Sequence, residues 1–187
     1  MASSACQTGG VGDPCVPEDE YNKAFAGYQP TETNVESQSF QCETRVCLVS
    51  YFRGRVSCPY GNLTGQNCYL PGTKADPTNT NAIVTAKVDP WIVSSPAAPA
   101  GRKPDQAVYC SCRCDGPDQA ARYCQCPSGF ICQKLVDDIG KGHAQLAGSY
   151  CIKEGSQVSN PTQLRDAPKC LLNPSGGNCG PQYPDAL

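Results

Sequence analysis

Apolar and polar positions in this chain alternate over short runs and never settle into a long helical period. From Val108 to Cys114 they alternate every second residue, as in a strand with one buried face. Phe40 to Phe52 (FQCETRVCLVSYF) is rich in β-branched and aromatic residues and predicts one or two strands. Ala82 to Val93 (AIVTAKVDPWIV) predicts two strand segments interrupted at Pro90, with the single Trp91 as a core anchor. Tyr123 to Cys132 predicts a further extended segment. Helix signals are few. Pro17 followed by Glu18, Asp19 and Glu20 opens a short helix that runs to about Gly27. Leu135 to Leu146 has room for one helical turn before Gly140 and Gly142 break it, and beyond Lys153 the pattern is mostly turns. Turns are also expected at Cys58–Gly61, Asp115–Asp118 and 173–178.

Composition sharpens this picture. The chain has 187 residues, 15 of them Cys, with 18 Gly and 17 Pro but only 4 Phe, 1 Trp and 1 Met. Such a chain buries little hydrocarbon per residue, so covalent crosslinks must supply what the core does not. The expected fold class is small disulfide-rich, with short antiparallel β-strands, long loops and little helix. Three stretches differ in composition. Residues 1–70 carry Cys6, Cys15, Cys42, Cys47, Cys58 and Cys68. Residues 71–105 form a Cys-free Pro/Ala-rich connector containing a strand. Residues 106–187 are Cys-dense, with Cys110, Cys112, Cys114, Cys124, Cys126, Cys132, Cys151, Cys170 and Cys179. With Cys6 set aside, the first stretch holds five cysteines and the last holds nine. Both numbers are odd, so if the rest all pair, at least one cystine joins the halves into one crosslinked unit.

The cysteines also bear on compartment and chemistry. Disulfides persist in extracytoplasmic, oxidising surroundings. The first residues have no basic, then apolar, leader pattern, so the given chain is expected to be a mature form or one with an added start. An odd total leaves at least one Cys without an internal partner. Cys6 is the candidate, as a lipidated N-terminal Cys after small residues and before a polar Gly-rich stretch. The alternative is that Cys6 pairs normally, for instance with Cys15. In Cys110-x-Cys112-x-Cys114 strand spacing is expected to put the three sulfurs on one face, opposite those of Cys124-x-Cys126. Neighbouring Cys-x-Cys thiols rarely bond each other, so each is expected to pair elsewhere, pinning two extended segments to each other and to the tail. A thiolate site for a soft metal competes with this reading, but the paired knuckles of zinc sites are missing. Thiol–disulfide exchange is a third reading. Arg113 lies between two of these cysteines, yet no Cys-x-x-Cys occurs in a βαβ setting.

Two likenesses rest on these residues. Cys124-Gln-Cys126-Pro-Ser-Gly129-Phe130 is similar to the second half of an EGF-like module, and departs from it in the early Cys132 and a missing second Gly. A broader likeness joins three runs: Ala107 to Gly116, Cys124 to Cys132 in the form Cys-x-Cys-Pro-x-Gly-Phe-x-Cys, and Gly148 to Ile152. Together with Gly12-Asp13-Pro14-Cys15 and Cys6, they resemble cysteine-rich envelope lipoproteins of predatory and myxobacterial-type Gram-negative bacteria. The resemblance covers about half the chain. It implies location, the envelope or cell surface, and brings no activity.

Other function classes lack their parts. The net charge is −2 with no basic run, which argues against nucleic acid and against an anionic membrane surface. No apolar stretch is long enough to span a bilayer, leaving membrane attachment only through a lipid on Cys6. The lone His143 sits in a Gly-rich loop, and no nucleophile motif of the Gly-x-Ser-x-Gly type occurs. Glu18, Asp19 and Glu20 are consecutive, as are Asp137 and Asp138, and both groups are expected on solvated surface. Asn62-Leu63-Thr64 is an N-glycosylation acceptor, relevant only in a eukaryotic secretory pathway. Six tyrosines near cysteines (51, 60, 69, 109, 123 and 150) are expected to pack against cystines rather than to face a ligand. The expectation is a non-catalytic structural or interaction protein of the bacterial surface, such as an accessory subunit of a larger assembly, with no cofactor and with other envelope proteins as partners. A ligand- or glycan-binding module, a thiolate metal binder and a secreted inhibitor are the alternatives.

Overall fold

Strand β2, Val46–Ser50, organises one half of the molecule: Cys47 to Ser50 are all buried, and its side chains serve two cores at once. A computed structural model describes residues 9–62, 67–91, 102–138, 140 and 145–159. In chain order the named elements are a 3-10 turn (Glu18–Tyr21), β1 (Thr33–Glu36), β2, a one-turn helix α1 (Pro104–Ala107), β3 (Val108–Ser111), β4 (Arg113–Asp115), β5 (Phe130–Val136) and β6 (Gly148–Lys153). They form two antiparallel three-stranded sheets, ordered β1-β2-β3 and β4-β6-β5. The expected small disulfide-rich β class is the one observed.

The alternation of β2 explains the layering. Cys47 and Val49 point into a core with Cys15, Tyr28, Cys42, Phe52, Ala107, Val108 and Cys110. Leu48 points the other way and joins Tyr109 against Tyr150 and Ile152 of the second sheet. A strand buried on both faces loses the polar half of its pattern and becomes continuously apolar. The sheets are further joined by polar contacts: the Tyr109 hydroxyl accepts the Lys153 N–H at 2.9 Å, and the Ser111 hydroxyl donates to the Cys151 carbonyl at 2.7 Å.

The run from Val108 to Asp115 is shared between the sheets. Its first part pairs with β2 and its last part with β6, and the break falls at Cys112, whose carbonyl accepts the Cys151 N–H at 3.0 Å. The register of β4 on β6 also shifts between Arg113 and Asp115. There Gly148 adopts φ +140°, and a Cβ on it would lie 2.2 Å from the Asp115 carbonyl oxygen, so only glycine fits.

Several expected elements differ from the observed ones. Within 40–52 one strand forms, the lower of the two numbers expected, and it starts late because Arg45 takes φ +64° and turns the chain just before β2. The connector contributes no strand among its described residues. Ala82, Val84 and Val88 are buried there, but their backbone bonds go to loops. Leu70 N–H donates to the Ala82 carbonyl, Val84 N–H to that of Cys68, and Val88 N–H to the Asn62 side chain. The apolar pattern reported burial rather than a ladder. Trp91 is half-buried against Phe52, with ring centroids 6.1 Å apart. The extended segment expected at 123–132 becomes a strand only at Phe130 and continues to Val136, where the first part of a helical turn was expected. The helix expected from Pro17 is a single 3-10 turn.

Candidate functional site

Among the described residues six cystines join Cys15–Cys47, Cys42–Cys110, Cys58–Cys68, Cys112–Cys124, Cys114–Cys132 and Cys126–Cys151. No Cys-x-Cys neighbours bond each other. Cys42–Cys110 is the cross-half bond that parity required. Cys15 bonds Cys47, which removes the Cys6–Cys15 alternative. Cys6, Cys170, Cys179 and His143 lie outside the described residues.

One construction recurs in both sheets. Cys47 and Cys110 face each other across β2 and β3, and Cys132 and Cys151 across β5 and β6. In neither case do the facing cysteines bond each other; each reaches out to a third segment. The result brings cystines side by side. The sulfurs of Cys15, Cys42 and Cys110 lie within 4.8 Å of one another, as do those of Cys112, Cys124 and Cys151, and those of Cys114, Cys126 and Cys151. The expectation of three sulfurs on one strand face is corrected here. The break at Cys112 sends Cys110 to the first core, while Cys112 and Cys114 serve the second sheet. These sulfur spacings also suit a soft metal, but thiolates rather than cystine sulfurs ligate metals, and each of these sulfurs is held in a cystine. The Arg113 guanidinium lies over the Tyr123 ring at 5.3 Å and donates to the Gln145 carbonyl at 2.8 Å.

The acidic run near residue 20 is not uniformly solvated, which corrects the surface expectation. Glu20 is fully buried, as is Arg55. The Glu20 carboxylate accepts N–H bonds from Val56 at 2.6 Å and Ser57 at 2.8 Å. Arg55 donates to the carbonyls of Glu20, Asn22 and Phe25 and lies 5.7 Å from the Phe25 ring. Burial pushes the Glu20 carboxyl up, outweighing these hydrogen bonds and the nearby Arg55. This pair locks the 20–25 segment onto 55–57. A sequence gives no signal for such a pair, because the partners stand 35 positions apart.

Glu18 and Asp19 are exposed and border a recess of about 220 Å³ with Tyr28, Asn34 and Glu36. The Tyr28 hydroxyl donates to Asp19 Oδ2 at 3.2 Å, and Glu36 Oε2 accepts the Glu18 N–H at 3.0 Å. Burial pushes the Glu36 carboxyl up, and the neighbouring acids add to it. Asp137 pairs with Lys134 at 2.7 Å in the open, and that ammonium holds its carboxyl low.

Asn62, the sequon residue, is occupied. Its Nδ2 donates to the Ala86 carbonyl at 3.0 Å and its Oδ1 accepts the Val88 N–H at 2.9 Å. Of the six tyrosines near cysteines, Tyr109 and Tyr150 are buried, Tyr51, Tyr69 and Tyr123 are half-buried and Tyr60 is exposed. Among the described residues the most exposed large apolar side chain is Phe40, 80% exposed, with the Arg45 guanidinium 4.5 Å above its ring. Their loop is tied down at buried Cys42 and closed by Ser39 N–H donating to the Arg45 carbonyl at 3.0 Å.

No known protein family matches the chain, and no curated protein or solved structure does either. No helix among the described residues is long and apolar enough to cross a membrane. The density of cystines suits an oxidising, extracytoplasmic environment.

Proposed function

We propose that the chain is a non-catalytic structural or interaction protein of the bacterial cell surface, a crosslinked module that sits against other envelope proteins as an accessory component. The observation that carries this reading is the Phe40–Arg45 loop. An aromatic ring and a guanidinium stand in solvent on a turn held by a cystine and a backbone bond. Aromatic and Arg side chains dominate interface hot spots, and a contact ordered in advance loses less entropy on binding. The envelope location rests on the cystines and on the resemblance carried by Cys6 and the 107–152 runs. A photoreactive residue at position 40, activated in intact cells, is expected to give discrete adducts in the envelope fraction, and Arg45→Ala is expected to weaken them. Recovery of the protein in the cytosol with reduced cysteines, or adducts indifferent to Arg45, contradicts the proposal.

A second reading, an extracellular ligand-binding module, draws support from the recess. Its carboxylates at Glu18, Asp19 and Glu36 beside the Tyr28 hydroxyl suit a cationic group. Retained binding of a simple diamine after Glu36→Gln would count against it.

A further inference from the structure

Three cystines of the second sheet stand in series. Cys151 Sγ, bonded to Cys126, lies 3.5 Å from Cys112 Sγ and 3.7 Å from Cys124 Sγ. On its other side the sulfurs of Cys114, Cys126 and Cys151 lie within 4.8 Å of one another. The order is therefore Cys132–Cys114, then Cys126–Cys151, then Cys112–Cys124. Burial is graded along it. Cys132 is exposed on β5, Cys114, Cys126 and Cys124 are half-buried, and Cys151 and Cys112 are buried. Successive cystines within 4.8 Å of each other, with an exposed residue at only one end, have the arrangement of a relay.

We propose that this cluster is a thiol–disulfide exchange site that takes a thiolate at Cys132 and passes the exchange inward to Cys112–Cys124. Exchange proceeds by attack of a thiolate on a disulfide sulfur. A thiolate from a small thiol or a partner cysteine forms a bond to Cys132 Sγ. The Cys114–Cys132 bond breaks, and its electron pair leaves on Cys114. The Cys114 thiolate then forms a bond to Cys126, breaking Cys126–Cys151 and leaving the pair on Cys151. The Cys151 thiolate attacks Cys112 or Cys124, and the other member of that cystine departs as thiolate. Each step makes one S–S bond and breaks one, so the internal steps involve no net redox change. A second external thiolate then bonds to the external sulfur of the mixed disulfide, the bond from that sulfur to Cys132 breaks with its electron pair left on Cys132, and the external disulfide departs. The sum is two external thiols oxidised and one cystine reduced to two thiols.

The other cystines mark the contrast. Cys58–Cys68 belongs to no sulfur cluster among the described residues, and the Cys15, Cys42 and Cys110 cluster is buried throughout. Thiolates must be reached to react.

Cys132→Ser tests the relay by leaving Cys114 as a thiol inside the fold. After incubation at mildly alkaline pH, acid quench, alkylation and non-reducing peptide mapping, the alkylated thiol is expected to be spread over Cys114, the Cys126/Cys151 pair and the Cys112/Cys124 pair. New linkages from Cys114 to Cys126 or Cys151 are expected with it. Cys68→Ser, treated alike, is expected to keep its label on Cys58. Label confined to Cys114, with Cys126–Cys151 and Cys112–Cys124 intact, overturns the proposal. Should Cys132→Ser not fold, the wild-type protein is given one equivalent of glutathione and mapped in the same way. An adduct on Cys132 with free thiol distributed through the cluster supports the relay. An adduct elsewhere, or free thiol on Cys114 alone, overturns it.

Discussion

Two side chains carry much of the local order without belonging to any strand. Glu20 and Arg55 are both fully buried, and each answers backbone groups of the other's segment. Truncating Glu20 leaves the part-buried N–H groups of Val56 and Ser57 without their acceptor, at a cost of about 1–3 kcal/mol for each. Glu20→Ala is expected to lose that much in denaturant unfolding. The pH dependence is separable. Burial raises the folded Glu20 pKa above its usual 4.5, so the folded chain keeps this proton to higher pH than the unfolded chain does. Folding therefore takes up a proton in that window. The contribution is fully present at the acid end and is lost as pH rises through the folded pKa. The stability difference between wild type and Glu20→Gln, followed across that window, is expected to change in this direction; no change means that Glu20 titrates as it does in the unfolded chain. Asn62 gives a different kind of prediction. A glycan on its Nδ2 would disrupt the bonds to Ala86 and Val88 that hold the connector. Produced through a eukaryotic secretory pathway, the folded, monomeric fraction is expected to show no mass loss on treatment with an N-glycan-removing enzyme.

At the scale of elements, β2 is the piece on which both cores depend. Leu48 is 0% exposed and lies between the sheets. Leu48→Ala is expected to cost about 2–5 kcal/mol, read as a lower denaturant midpoint at unchanged slope. A loss within experimental error means that the two sheets do not share a core there. This strand was legible in the sequence from its β-branched and aromatic richness, and the run from Val108 from its alternation. Its break at Cys112 was not legible, since the sheet switch comes from long-range pairing with β6 rather than from any local breaker. β6 itself went unrecognised as a strand behind its glycine, although Tyr150 and Ile152 are core residues at strand spacing. β1 has only half-buried positions and an equally weak pattern. The opposite error fell on Ala82 to Trp91, where burial with only the isolated bridge of Ile83 to Tyr69 gave the same apolar signal as a strand.

For the whole molecule, crosslinking is the principal physical fact, and loop length ranks the bonds. Cys42–Cys110 closes a separation of 68 residues and Cys58–Cys68 one of 10. By loop entropy alone the first contributes about 4 kcal/mol and the second about 3 kcal/mol. Cys42 and Cys110 are also 0% exposed, so replacing both by Ala opens a cavity as well. The Cys42→Ala/Cys110→Ala protein is expected to be the less stable of the two double variants in thermal unfolding. The need for a cross-half bond was legible from parity; the partners were not, because fourteen cysteines permit many pairings and only the tertiary fold selects among them. The most direct test of a cystine-held extracytoplasmic protein is intact mass with thiol alkylation and non-reducing peptide mapping, on protein purified from its own compartment without reductant. The expected result is the loss of two hydrogens for each of the six cystines, with Cys42 and Cys110 recovered in one joined peptide pair. Alkylation of Cys112, Cys124 and Cys151 together, with metal released in proportion, would contradict it and make that cluster a thiolate metal site.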